Sequence, residues 1–249
     1  MFNQLINSPI WLTAFGAIIL LLLERLFPLI KYEIDHKWTI RLFIYASTGI
    51  AITTIIGDHL FNQNKFSLFK YLNINFLYHL PPILQGLAGY FIITFIVYWW
   101  YRFRHYSNFL WTTFHQVHHS TYRIQALTAI YSHPFDFAAT AVIVNFISYI
   151  VLGVDTRSAV FVSVITNFFD FWEHTNIRTP KWLGYIIVRP EMHRIHHEKE
   201  VHNNNYSIPI WDMLFGTYEN SGRNVECGFE INKERQIIKL LTCHNVNKN

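Results

Sequence analysis

Two stretches of this sequence repeat one pattern. His115-Gln116-Val117-His118-His119 and His193-Arg194-Ile195-His196-His197 both read HxxHH, in a chain that holds 14 histidines. In a helix, positions i, i+3 and i+4 share a face, so each stretch is expected to point three imidazoles the same way. Neutral imidazole is the commonest protein ligand for iron, zinc, copper and nickel. Six imidazoles crowded together would repel one another on protonation unless a cation took the protons' place. With His105 and His174 as further donors, the set exceeds what one tetrahedral zinc uses, and a two-metal centre fits the count better. The scattered histidines His36, His59, His79, His202 and His244 are read as ordinary residues of an aromatic-rich chain.

The elements that must position these clusters are apolar. Aromatic residues make up 18% of the chain and charged residues 14%, below the roughly 25% charged share of ordinary soluble proteins. Few charges are left to cover a surface in water. A chain of 249 residues is long enough to bury a large interior. Its long apolar runs read as an all-α integral membrane bundle of about four spans or re-entrant hairpins, with a histidine-rich cap. The net charge of +4 comes from Lys and Arg scattered between apolar segments; they form no continuous stripe, which argues against a nucleic-acid partner. Cys227 and Cys243 lack metal-ligand spacing and read as free thiols. The opening MFNQLINSPI lacks the basic region and cleavage site of a signal peptide, so the apolar run after it is read as retained.

The first apolar run is Pro9 to Leu23, and the second, Leu42 to Ile56, is rich in small and hydroxylated residues suited to helix contacts within a membrane. A polar loop with Asn62, Asn64, Lys65, Lys70, Asn73 and Asn75 leads to Pro81-Pro82, which opens a third run, Ile83 to Tyr101. The segment Arg102 to Arg123 is too polar for lipid, so the metal-binding face is placed just outside the bilayer. Phe135 to Gly153 and Ala159 to Phe171 read as a pair of short spans or a hairpin. Lys31, Lys37, Arg41, Arg102, Arg104, Arg123, Lys181, Arg189, Arg194 and Lys199 fall on one side of this arrangement, which the positive-inside rule assigns to the cytoplasm. The chain divides into residues 1–80 (spans and loop), 81–220 (the part carrying the site) and 221–249 (a polar tail), of which Glu230 to Asn249 is expected to be peripheral.

Tyr101-Arg102-Phe103-Arg104-His105, the two HxxHH stretches, His133-Pro134-Phe135-Asp136, His174-Thr175-Asn176, Asn205-Tyr206 and Trp211 to Tyr218 together resemble the fatty acid hydroxylase superfamily, also called the sterol desaturase family. The likeness runs from about Tyr98 to Tyr218, and Glu24-Arg25-Leu26-Phe27-Pro28 resembles its first span. The resemblance implies a membrane-bound di-iron oxygenase that hydroxylates or desaturates a lipid with molecular oxygen, fed by an unidentified electron donor. It implies metal ligation by His105, His115, His118, His119, His174, His193, His196 and His197. Tyr101, His133, Asp170, Asn205 and Tyr206 are further candidates for ligation or for a place beside the ligands. Two departures stand out: the family's first motif reads HRxxH, with Tyr101 here in its first position, and the interval from His105 to His115 is one residue longer than the family spacing. The rival expectation is a non-catalytic membrane metal-binding protein on the same scaffold, impaired at Tyr101.

Overall fold

The computed structural model describes residues 9–61, 66–74 and 76–247. The first eight residues, Asn62, Asn64, Lys65 and Asn75 of the polar loop, and the side chain of His59 lie outside the described residues. The architecture is helical, with no strand among the described residues. In chain order the helices that matter are α1 (Pro9–Leu26), α2 (His36–Phe61), α3 (Pro82–Tyr106), α4 (Gln116–Ser120), α5 (Pro134–Asn145), α6 (Thr156–Glu173), α7 (Pro190–His196), α8 (Pro209–Phe215), α9 (Ile231–Glu234) and α10 (Ile237–Leu241). Helices α3, α5, α7 and α8 each start on a proline, whose missing N–H costs nothing in the first turn.

Among the described residues three helical stretches are long and apolar enough to cross a membrane: His36–Gly57, Pro82–Tyr106 and Pro134–Leu152. The third continues α5 through a π-helical turn, Phe146–Leu152, and stops at Gly153, whose φ of 63° only glycine adopts freely. A Cβ there would also meet Ser67 Oγ at 2.0 Å. Helix α6, the returning arm, carries Asp170 and Glu173 in its last turn, where they face the histidines rather than lipid.

The long helices pair as α2 with α5, α3 with α6, and α1 with α6. Close approach of α3 to α6 depends on Gly86 and Gly89: a Cβ on Gly86 would stand 2.6 Å from Phe161 Cβ, and one on Gly89 2.9 Å from Val162 Cγ2. Helix α1 is tied down by Glu24, which is buried and accepts the backbone N–H groups of Ala126 (2.8 Å) and Asn176 (3.1 Å). The stretch from Glu230 to Asn247 is not peripheral. Phe229, Leu240 and Val246 are buried in one cluster with Trp38, Leu42 and Tyr131. Gln116 donates to His244 O (2.8 Å) and accepts from Val246 N (2.9 Å), so this side chain of α4 fastens the tail through its backbone. Gly86→Val should overpack the α3–α6 seam at a cost of roughly 1–3 kcal/mol, seen as a lower melting temperature in detergent; an unchanged melting temperature would show that the seam is loose.

Candidate metal centre

The eight histidines expected as ligands arrive at one end of the bundle on several supports. His105 sits in the last turn of α3, His115 closes a π-helical turn (Trp111–His115), and His118 and His119 lie in α4. His174 caps α6, His193 and His196 lie in α7, and His197 caps α7. The π turn runs directly into α4, so His115 stands one turn ahead of His118 and His119.

The eight imidazoles form two groups of four, not two sets of three. His105, His115, His119 and His196 make one group, and His118, His174, His193 and His197 the other; within each, the ligand atoms lie within 4.8 Å of one another. Each group takes the i and i+4 histidines of one HxxHH stretch and the i+3 histidine of the other. The groups touch through His119 and His197, whose rings stack with centroids 4.3 Å apart.

The outward ring nitrogens fix the tautomers, because a carbonyl or carboxylate can only accept. His118 Nδ1–H donates to Tyr131 O (3.3 Å), His174 Nδ1–H to Asp170 O (2.7 Å), His196 Nδ1–H to Asn204 O (2.8 Å), and His115 Nδ1–H to Asp136 Oδ2 (3.0 Å). Their Nε2 atoms are then left as lone pairs. His118 Nε2 nevertheless lies 3.1 Å from His174 Nε2, with no proton between them in the neutral state. His193 Nε2 is 2.9 Å from His174 Nε2 and 3.1 Å from His197 Nε2, and His115 and His119 Nε2 are 3.1 Å apart. His105 Nε2 and His196 Nε2 are buried with no partner. Burial pushes His118, His119, His193 and His197 well below the usual imidazole range and His174 down to about 4, so all stay neutral near pH 7. Convergent neutral lone pairs fit a cation in each group. Nitrogens bound to one ion at about 2.1 Å sit roughly 3.0–3.4 Å apart, close to the shortest separations within the two groups.

The remaining candidates divide. Asp170 lies beside His174, with Oδ1 3.4 Å from its Nδ1. Tyr101 stands edge-on to His115 (centroids 4.9 Å apart) with the Arg104 guanidinium 4.0 Å from its ring centroid. Tyr206 packs against both His105 and His196 at 5.5 Å. Asn205 braces the cap: in the left-handed conformation (φ 56°), it donates to Met192 O and Glu219 O and accepts from Glu219 N, all at 2.9 Å. His133 is in neither group; its Nδ1 accepts from Phe135 N (3.1 Å) at the start of α5 and its Nε2–H donates to Leu241 O (3.3 Å).

Three residues were not legible as site residues. Asp136 is buried, ion-paired to Arg104, and also accepts from Ser132 Oγ (3.0 Å); its signal was the fourth position of His133-Pro134-Phe135-Asp136. Glu173 Oε1 lies 3.5 Å from His193 Nδ1. His202, grouped above with the scattered histidines, packs its ring 4.6 Å from His119 and 5.3 Å from Trp111, with a buried, unpartnered Nδ1.

The fatty acid hydroxylase family profile matches residues 86–217, more than half of the 249-residue chain. The chain belongs to the fatty acid hydroxylase family. The match begins within α3, earlier than the motifs alone indicate, and ends at Thr217. A very-long-chain aldehyde decarbonylase of Oryza sativa subsp. indica is 29% identical over 165 residues, covering 60% of this chain and 62% of that protein. A sphingolipid C4-hydroxylase of Schizosaccharomyces pombe is 26% identical over 142 residues (55% and 48%), and an alkylglycerol monooxygenase of Danio rerio is 34% identical over 128 residues (49% and 27%). The chain thus covers less than two thirds of the length of each of these relatives. No solved structure matches.

Asp136→Asn should weaken metal binding at the His105 group by roughly 10–100-fold, because the carboxylate that orients His115 is lost. Metal titration should show the second group unaffected; equal weakening of both groups would mean that Asp136 acts only on the fold.

Proposed function

We propose that this chain is a membrane-bound di-iron oxygenase that hydroxylates or desaturates a lipid, with the histidine groups on the cytoplasmic side. The observation that carries the reading is the pair of four-imidazole groups whose neutral lone pairs converge at close range. Donors made wholly of imidazole suit redox-active iron, whereas magnesium and calcium call for oxygen ligands. Iron held there supplies the activation of molecular oxygen and the redox change; the protein supplies binding and position. The eight proposed ligands are His105, His115, His119 and His196 at one site and His118, His174, His193 and His197 at the other.

The chain's own residues hold this arrangement from outside. Asp136, clamped by Arg104 and Ser132, keeps His115 in the tautomer that presents Nε2. The Tyr131, Asp170 and Asn204 carbonyls do the same for His118, His174 and His196. Trp111, Tyr101 and Tyr206 wall the His105 group and limit the entry of water. Both groups reach four imidazoles without Tyr101, which supports an active enzyme over the impaired metal-binding rival. The relatives act on aldehydes of very long chains, sphingolipids and alkylglycerols by name, and this supports a lipid substrate delivered from the bilayer.

The test is to express the full chain in a host lacking its own lipid hydroxylases, measure iron, and profile lipids by mass spectrometry. Two irons per chain and a lipid product enlarged by one oxygen or lacking two hydrogens are expected, with His105→Ala and His174→Ala each halving the iron and abolishing the product. A protein that binds a single zinc and leaves the lipids unchanged would overturn the reading.

A further inference from the structure

A second concentration of charge lies outside the histidine groups. An open cleft of about 640 Å³ is lined by Lys31, Lys37, Arg123 and Arg235, with Tyr32, Tyr122 and His36 between them and Glu33 and Asp35 as its carboxylates. Four permanent cations thus face two anions. Asp35 is committed to the start of α2, where its Oδ1 accepts from Trp38 N (3.0 Å). Among the described residues Lys31, Lys37 and Arg235 form no ion pair, and all three side chains are exposed.

Arg123 gives the cleft a built floor. It is 5% exposed, its guanidinium lies 5.5 Å from the Tyr32 ring, 6.0 Å from Trp38 and 5.4 Å from Tyr122, and it donates to Glu33 O. Its Nε is buried with no partner. Asp35 and Glu234 act on this guanidinium at longer range, but neither forms a close ion pair with it, and the cleft keeps more cations than carboxylates. The cleft sits where α2, a candidate membrane span, begins, and so at the edge of the bilayer on the proposed reading. It is also on the same end as the metal centre: Trp38 Nε1 donates to Thr121 Oγ1 (2.9 Å), just past α4, and Tyr32 OH accepts from Arg194 (3.1 Å) within the second HxxHH stretch.

We infer that this cleft binds the anionic phosphate headgroup of a membrane lipid, with Arg123 as its fixed donor and Lys31, Lys37 and Arg235 as the cations that close around it. A phosphate balances the excess of cations in the cleft, is an acceptor that guanidinium and ammonium groups recognise, and is available at the depth where α2 enters the bilayer. The inference rests on the membrane reading of α2 but not on oxygenase chemistry.

The experiment uses the full chain in detergent, with native mass spectrometry reading bound phosphatidic acid, phosphatidylcholine of the same chain length, and inorganic phosphate. Each cation near a membrane surface is worth roughly fivefold in affinity, so Lys31→Ala, Lys37→Ala and Arg235→Ala together should weaken phosphatidic acid binding on the order of a hundredfold. These residues are exposed, and metal content and melting temperature should stay at wild-type values, which separates this outcome from failure of the metal centre. Wild-type protein should prefer phosphatidic acid over phosphatidylcholine by at least roughly tenfold, and inorganic phosphate should compete only weakly. Undiminished binding by the triple variant, equal retention of both lipids, or displacement by inorganic phosphate at equal concentration would each overturn the inference, the last by reassigning the cleft to a soluble anion.

Discussion

Imidazole lone pairs forced together without protons are the constraint on which the rest of this structure depends. With Nδ1–H held by Tyr131 O and Asp170 O, His118 and His174 have only lone pairs to present to each other across 3.1 Å. An unpaired buried acceptor costs roughly 1–3 kcal/mol, and several such contacts are packed into one end of a single domain. A cation held in each group would relieve this cost, which is why the proposed reading places one there. The carbonyls, the Asp136 carboxylate and the helical supports all serve to keep the nitrogens aimed inward.

The supports follow from the same need. Two short helices, α4 and α7, carry the paired motifs, and neither has more than seven residues. Neither could be stable alone. They are held by the ends of α3 and α6 on one side and by the chain beyond residue 220 on the other. Gly228, with φ 81°, brings that chain against α4: a Cβ there would stand 2.4 Å from Thr121 C, and Phe229 N donates to Ser120 O (3.1 Å). The apolar long helices thus anchor the end of the bundle that carries the histidine groups.

Much of the site was legible in the sequence because a repeated HxxHH has few other uses. The helical character and the apolar runs followed from composition and length. The division of the histidines was not legible: helical spacing puts His115, His118 and His119 on one face, yet i and i+4 serve one group while i+3 turns toward the other. That split depends on how α4 and α7 cross, which no local pattern encodes. His202 was passed over because it stands alone in the sequence and reaches His119 only through a left-handed backbone (φ 44°). The carbonyls of Tyr131 and Asn204 carry no sequence signal, since every residue has one. The tail was misjudged on its polarity, while three buried apolar residues, Phe229, Leu240 and Val246, decide where it lies.

X-ray absorption at the iron edge of the purified, iron-loaded chain tests the central claim most directly. The account predicts a coordination shell led by nitrogen at about 2.1 Å, with the multiple-scattering signature of about four imidazoles per iron. A shell made mainly of oxygen, or one containing sulfur, would contradict it.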